Sequence, residues 1–196
     1  MKQKSMSPFI ETIRIENGQI HNLPYHNRRM NETRRDVLHQ TGFLDLSDCI
    51  QPGDYRERTK CRVEYDKDIL KVEYASYRIR PVSSLRLVAD DEADYRYKST
   101  DRSVLNRLFD LRETEDDVLI VRRGWLTDTS ICNIALWNGK QWITPSVPLL
   151  AGTKRASLLD RGEMVAGGYP SGGFAGLFPY QVVQCDDRVW RNRSFG

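Results

Sequence analysis

The sequence has no long apolar run, no closely spaced cysteine pair and no strong excess of one charge. Nothing in it approaches the ~20 consecutive apolar residues of a membrane span. Met1 to Pro8 is polar and lacks the apolar stretch of a signal peptide, so a cytoplasmic location is expected. Cys49, Cys61, Cys132 and Cys185 are far apart, and the only histidines are His21, His26 and His39. A zinc cluster is therefore not expected, and the thiols read as reduced and partly buried. The 30 Lys and Arg residues against 27 Asp and Glu give a net charge of +3. Acidic and basic residues mostly alternate, unlike the basic stripe that follows a phosphate backbone, so no nucleic-acid partner is expected. The exception is Arg28, Arg29, Arg34 and Arg35, which keeps an RNA- or anion-binding module open as a weak option. No aromatic residues interleave with that tract in the way base stacking requires.

What is present argues for a folded chain. The mean hydropathy of −0.59 is polar, yet 4 Trp, 9 Tyr and 6 Phe oppose disorder. Phe9 to Glu16 alternates at period two, and Asn17-Gly18 then suits a hairpin turn. Pro24 can open a helix running from Tyr25 to His39, a surface helix with Met30, Val37 and Leu38 as its anchors and Gly42 as its stop. Asp45 to Thr59 reads as a loop, followed by strands at Cys61 to Tyr65, Ile69 to Ile79 and Leu85 to Val88. Ala89 to Asp94 is acidic and reads as a linker. These readings place a small α+β domain at 7–88, a linker at 89–94 and a larger domain at 95–196.

In the larger domain, Asp101 to Arg112 has helical spacing, and Val118 to Val121 suits a buried strand. Trp125 to Thr127, Ile131 to Trp137 and Gln141 to Thr144 are further extended runs, and Thr153 to Asp160 is a second helix. Six of the 13 glycines crowd between Gly162 and Gly176, and within this tail only Tyr180 to Val183 reads as a strand.

Individually, the chemical candidates are modest. Lys98 stands just before a helix, and Asp128 opens a polar cluster in a strand. Gly152-Thr153 begins a helix whose first N–H groups suit a phosphate. Their order is more specific: Asp128, then Asn133, the strand Ile134 to Trp137, the turn Asn138-Gly139, Thr144-Pro145 and Gly152-Thr-Lys-Arg155. Upstream stand Phe9-Ile-Glu-Thr-Ile-Arg14 and His26-Asn-Arg-Arg-Met30.

This series resembles the class IV aminotransferase family, the fold type IV enzymes that use pyridoxal phosphate (PLP). The resemblance implies a two-domain α+β fold, like that of D-amino acid aminotransferase and shortened at the N-terminus, with the cofactor in the cleft between domains. It implies a homodimer acting on a small amino substrate. Carried over residue by residue, it makes Lys98 the Schiff-base lysine and the proton carrier at the substrate α-carbon. Asp128 takes the place of the carboxylate, usually Glu, that faces the pyridine nitrogen; Arg29, Gly152, Thr153 and Lys154 hold the phosphate. Three activities compete within the family: 4-amino-4-deoxychorismate lyase, favoured here on the compact chain and its Phe-x-Glu-Thr-Ile-Arg strand, and branched-chain or D-amino acid aminotransferase. A non-catalytic relative that keeps the fold is the further alternative.

Overall fold

The computed structural model describes residues 7–53, 55–78, 80–173, 180–183 and 189–192. Its contacts divide the chain into two units, 1–78 with 97–102 and 79–96 with 103–196. The sequence-derived limits at 7–88 and 95–196 follow chain order. The units do not, because the chain passes from one to the other after residues 78, 96 and 102.

The first unit is an antiparallel sheet with one long helix. Strand β1 (Phe9–Glu16) turns at Asn17 and Gly18, whose φ of 52° and 71° are those of a two-residue hairpin turn, into the short β2 (Gln19–Ile20). Helix α1 (Leu23–Leu38) follows, then a single 3-10 turn at Leu46–Asp48, then β3 (Thr59–Tyr65) and β4 (Ile69–Ser76). The order across the sheet is β2-β1-β3-β4, with Phe9 opposite Tyr65 and Ile13 opposite Cys61. Segment 97–102 lies along the start of β1: Ile10 N–H donates to the Lys98 carbonyl, and Thr100 N–H to that of Pro8, both at 2.8 Å. Phe9, Ile13, Ile15, Met30, Leu46, Cys61, Val63 and Tyr65 form the core.

Helix α1 ends earlier than its glycine suggests. His39, not Gly42, takes the left-handed conformation at φ 55°, and Gln40 N–H closes the turn on the Arg34 carbonyl. Its inner face is more polar than a surface helix with apolar anchors would carry. His26, Asn27, Arg29, Thr33 and Arg34 are buried there with Met30. The arginine tract is therefore divided: Arg28 and Arg35 face solvent while Arg29 and Arg34 are buried. Arg34 acts as a clamp, donating to the carbonyls of Lys67 and Gly42 and to Asn31 Oδ1.

The second unit is built on an eight-stranded sheet. It comprises β5 (Leu85–Ala89), α2 (Ser103–Asp110), β6 (Asp117–Arg122), β7 (Trp125–Thr129), β8 (Asn133–Trp137), β9 (Trp142–Pro145), α3 (Thr153–Asp160) and β10 (Val165–Gly167), then β11 (Tyr180–Val183) and β12 (Val189–Asn192). Strands β5 and β10 run parallel to β6 and β9; the remaining pairings are antiparallel, and β11 lies between β8 and β12. Strand β6 explains its unbroken apolar run, because Leu119 and Val121 enter one core while Val118 and Ile120 enter another.

The acidic stretch 89–94 is an ordered turn. Ala93 is buried, Asp90 binds Arg107 at 2.7 Å, and the Asp91 carboxylate accepts from Arg123 N–H. In the tail, β11 falls on the run read as a strand, whereas β10 and β12 carry no comparable sequence signal. Most of the remaining glycine-rich tail lies outside the described residues.

Candidate functional site

Each unit holds a buried polar constellation. In the first, the alternation of β1 places Glu11 on the same face as Phe9, Ile13 and Ile15, and its carboxyl is fully buried. On α1, His26, Arg29 and Thr33 share one face at helical spacing. Arg29 donates from Nε to Glu11 Oε1 at 2.9 Å and from Nη2 to Oε2 at 2.5 Å. His26 Nδ1 meets Glu11 Oε2 at 2.6 Å, and the Thr33 hydroxyl donates to the Arg29 carbonyl. Burial pushes the Glu11 carboxyl up, but the Arg29 charge and the His26 hydrogen bond outweigh it and carry it down to about 2. Burial holds His26 below its ordinary value, with the charges of Arg29 and Lys98 adding to it and Glu11 opposing. Lys98 itself is buried.

In the second unit, Asp128 on β7 is paired in register with Asn133 on β8. Asn133 Nδ2 donates to Asp128 Oδ1 and to the Leu150 carbonyl, each at 2.8 Å, and Leu150 N–H donates to Asp128 Oδ2 at 2.9 Å. The chain then passes Asn133 so closely that a Cβ on Gly152 would lie 2.0 Å from Asn133 Oδ1. Only glycine fits at that position. Helix α3 begins there, its first closing bond running from Ala156 N–H to the Gly152 carbonyl at 2.9 Å. Thr153, Lys154 and Arg155 are all buried in its first turn. Arg155 donates to Thr144 Oγ1 at 3.1 Å and to the Pro145 carbonyl at 2.7 Å, tying β9 to the helix.

Asp128 is chemically unusual. Burial raises its pKa to about 6, against the opposing pull of Asn133, the Leu150 N–H and the Arg155 charge. Its hydrogen-bond donors are neutral amides, and among the described residues no ion pair offsets the charge. A carboxylate has about four acceptor positions, so it keeps capacity for a cationic N–H donor. A protonated pyridine ring nitrogen is such a donor, so this carboxylate suits the ring of PLP.

The expected site residues thus fall into two sets. Arg29 and Lys98 lie in the first unit; Asp128, Gly152, Thr153 and Lys154 lie in the second. Arg29 is not the solvated arginine that a basic helix face suggests, and two of its three guanidinium nitrogens bond Glu11. The sequence reading assigned no role to Glu11, His26, Asn133 or Arg155. The signal for Glu11 was available: it is an acidic residue at an apolar register position of β1.

Among the described residues no helix is long and apolar enough to cross a membrane. No protein-family model matches the chain. An uncharacterised protein of Haemophilus influenzae is 34% identical over 163 residues, covering 81% of this chain and 87% of that protein. A crystal structure from Haemophilus somnus, provisionally named a 4-amino-4-deoxychorismate lyase, matches with a TM-score of 0.85 at 29% identity, over 93% of this chain and 98% of that one. A hypothetical aminotransferase from Mycobacterium tuberculosis in its PLP-bound form matches with a TM-score of 0.75, over 96% of this chain and 81% of that one. At 14% identity, that last likeness concerns the fold alone.

Proposed function

The chain belongs to the class IV aminotransferase family of fold type IV enzymes, and from that premise we propose that it is a PLP-dependent lyase that splits 4-amino-4-deoxychorismate into p-aminobenzoate and pyruvate. The observation that carries the cofactor assignment is Asp128: a buried carboxylate beside the start of α3, held by the neutral amides of Asn133 and Leu150, with its pKa raised despite the nearby Arg155 charge. Likeness to the Haemophilus somnus structure over nearly its whole length supports the lyase reaction over amino-group transfer.

When bound, PLP supplies an electron sink for the pair left at the substrate α-carbon. The protein's residues do the rest. Lys98 would hold the cofactor through Nζ and, once released from it, would take the proton from the substrate α-carbon. In the lyase reaction the bond between the substrate's ring carbon and the enolpyruvyl oxygen breaks as the ring becomes aromatic, the bond's electron pair leaving with the oxygen. Lys98 would return the proton to the methylene carbon of the leaving enolpyruvate, which departs as pyruvate. The atoms of the substrate are then divided between the two products with nothing added. Asp128 would accept from the protonated ring nitrogen and so favour the state in which the ring withdraws electrons. On the family resemblance, the phosphate is assigned to Arg29 and to the first turn of α3 at Gly152, Thr153 and Lys154. A cytoplasmic homodimer serving folate biosynthesis completes the proposal on family resemblance.

The deciding experiment supplies 4-amino-4-deoxychorismate to the protein loaded with PLP. Equal release of p-aminobenzoate and pyruvate is the expected result. Transfer of an amino group from a D- or branched-chain amino acid to a 2-oxo acid, with no p-aminobenzoate formed, would replace the lyase by an aminotransferase. Neither reaction, in a protein that binds PLP, would leave a non-catalytic relative.

A further inference from the structure

We propose that Glu11 is a positioning residue for anion binding: it fixes the guanidinium of Arg29 and the ring of His26 in the single orientation from which Arg29 holds the cofactor phosphate. The inference rests on the reading above that Arg29 serves that phosphate. Its own support is the geometry of the first unit. Glu11 stands where the pattern of β1 calls for an apolar side chain, between Phe9 and Ile13 on the core face. A carboxylate there is costly unless it is fully bonded. Glu11 is: its two oxygens meet Arg29 Nε at 2.9 Å, Arg29 Nη2 at 2.5 Å and His26 Nδ1 at 2.6 Å.

Each of those bonds removes a freedom. The two parallel bonds from Arg29 set both the position and the plane of the guanidinium, which a single contact would not do. An ionised carboxylate only accepts, so His26 Nδ1 carries a proton and the neutral ring has Nε2 as its acceptor. Thr33 bonds the helix carbonyl of Arg29 and so adds a tie at the backbone from which that side chain projects. A solvated arginine would lose side-chain entropy on closing over an anion; Arg29 is already ordered before the anion arrives.

A purely structural ion pair would produce the same contacts, so the test must separate stability from positioning. Full-length wild type, Glu11→Gln and Glu11→Asp are each titrated with PLP and, separately, with pyridoxal, which lacks the phosphate, well below their melting temperatures. Glu11→Gln keeps the shape of the side chain and removes its charge. It is expected to weaken PLP binding about tenfold, the scale of one misaligned charged hydrogen bond, while leaving pyridoxal binding unchanged. Glu11→Asp keeps the charge but draws it back by one methylene, and is expected to fall between the two. That variant also keeps the test open should Glu11→Gln not fold. Equal weakening of PLP and pyridoxal, or a lower melting temperature with unchanged PLP affinity, would overturn the positioning role. Failure of the wild type to bind PLP at all would overturn the reading on which it rests.

Discussion

Glu11 in the first unit and Asp128 in the second are buried at comparable depth, and the chain treats them in opposite ways; Asp117, also buried in the second unit, is paired with Arg80. Glu11 in the first unit is held down to about 2 by the Arg29 charge and the His26 hydrogen bond, which outweigh its burial. Asp128 in the second is raised to about 6 because burial dominates and its close donors are neutral amides. Burial therefore does not decide the state of a buried acid; its partners do. The first carboxylate is already paired and can only organise its neighbours. The second is bonded only by neutral amides among the described residues, and the Arg155 charge does not offset its burial, which leaves it acceptor capacity for a cationic N–H donor.

The largest effect is expected at the paired acid. Glu11→Ala leaves the Arg29 guanidinium buried without its counter-ion, and breaking a buried pair costs roughly 3–5 kcal/mol. A urea melt of the variant measures it, and a loss below 1 kcal/mol would show that Arg29 finds another partner.

Next in size is the pH dependence, where the two acids give opposite slopes. Glu11 ionises more readily folded than unfolded, so its stabilisation is complete above its ordinary value of 4.5 and is lost as pH falls toward about 2. Asp128 ionises less readily folded than unfolded. Its contribution is therefore a cost that is absent below 3.8 and grows until about pH 6. At roughly 1.4 kcal/mol per pH unit, that cost reaches about 3 kcal/mol in the protein without cofactor. Asp128→Asn is expected to gain stability relative to wild type across that window, and the gain should disappear when PLP is bound to both. Parallel stability curves for the two proteins from pH 3.8 to 6 would contradict the assignment of a strained carboxylate.

A smaller effect tests how Asp128 is held. Gly152→Ala drives a methyl group into Asn133 Oδ1, which then cannot keep its bonds to both Asp128 and Leu150. Overpacking of this kind costs roughly 1–3 kcal/mol, measured by thermal unfolding. The smallest effect is expected from Arg35→Ala, whose side chain is largely exposed and, among the described residues, paired only with the adjacent Asp36. It should change stability by less than about 0.5 kcal/mol and leave PLP affinity unchanged, in contrast with Arg29→Ala.

The same contrast accounts for what could be read from the sequence. Strand β1, its Asn17-Gly18 turn, the long helix and the β8–β9 hairpin all follow from local periodicity and turn chemistry. Asp128, Asn133 and Gly152 emerged from their order along the chain, although the reason Gly152 must be glycine is a contact visible only once β8 and α3 are folded. Glu11 carried a signal, an acid at an apolar register position of β1, but its role and that of His26 depend on their partnership. His26 looks like an ordinary polar residue of a surface helix until Glu11 is placed against it. Helix α1 was read as a surface helix because the residues on its buried face are mostly polar, and burial of polar groups is a property of pairs, not of single positions. Strand β10 escaped notice for a similar reason: its three residues, Val165 to Gly167, become a strand only through parallel pairing with β9.

The central claim, that this chain uses PLP with Lys98 as its covalent anchor, is tested most directly by incubating the protein with PLP, reducing with borohydride and mapping the modified peptide by mass spectrometry. The account predicts one reduced cofactor per chain on Lys98, absent from Lys98→Ala, with that variant still folded. No incorporation, or scattered incorporation on exposed lysines such as Lys71 and Lys140 with Lys98 unmodified, would contradict it.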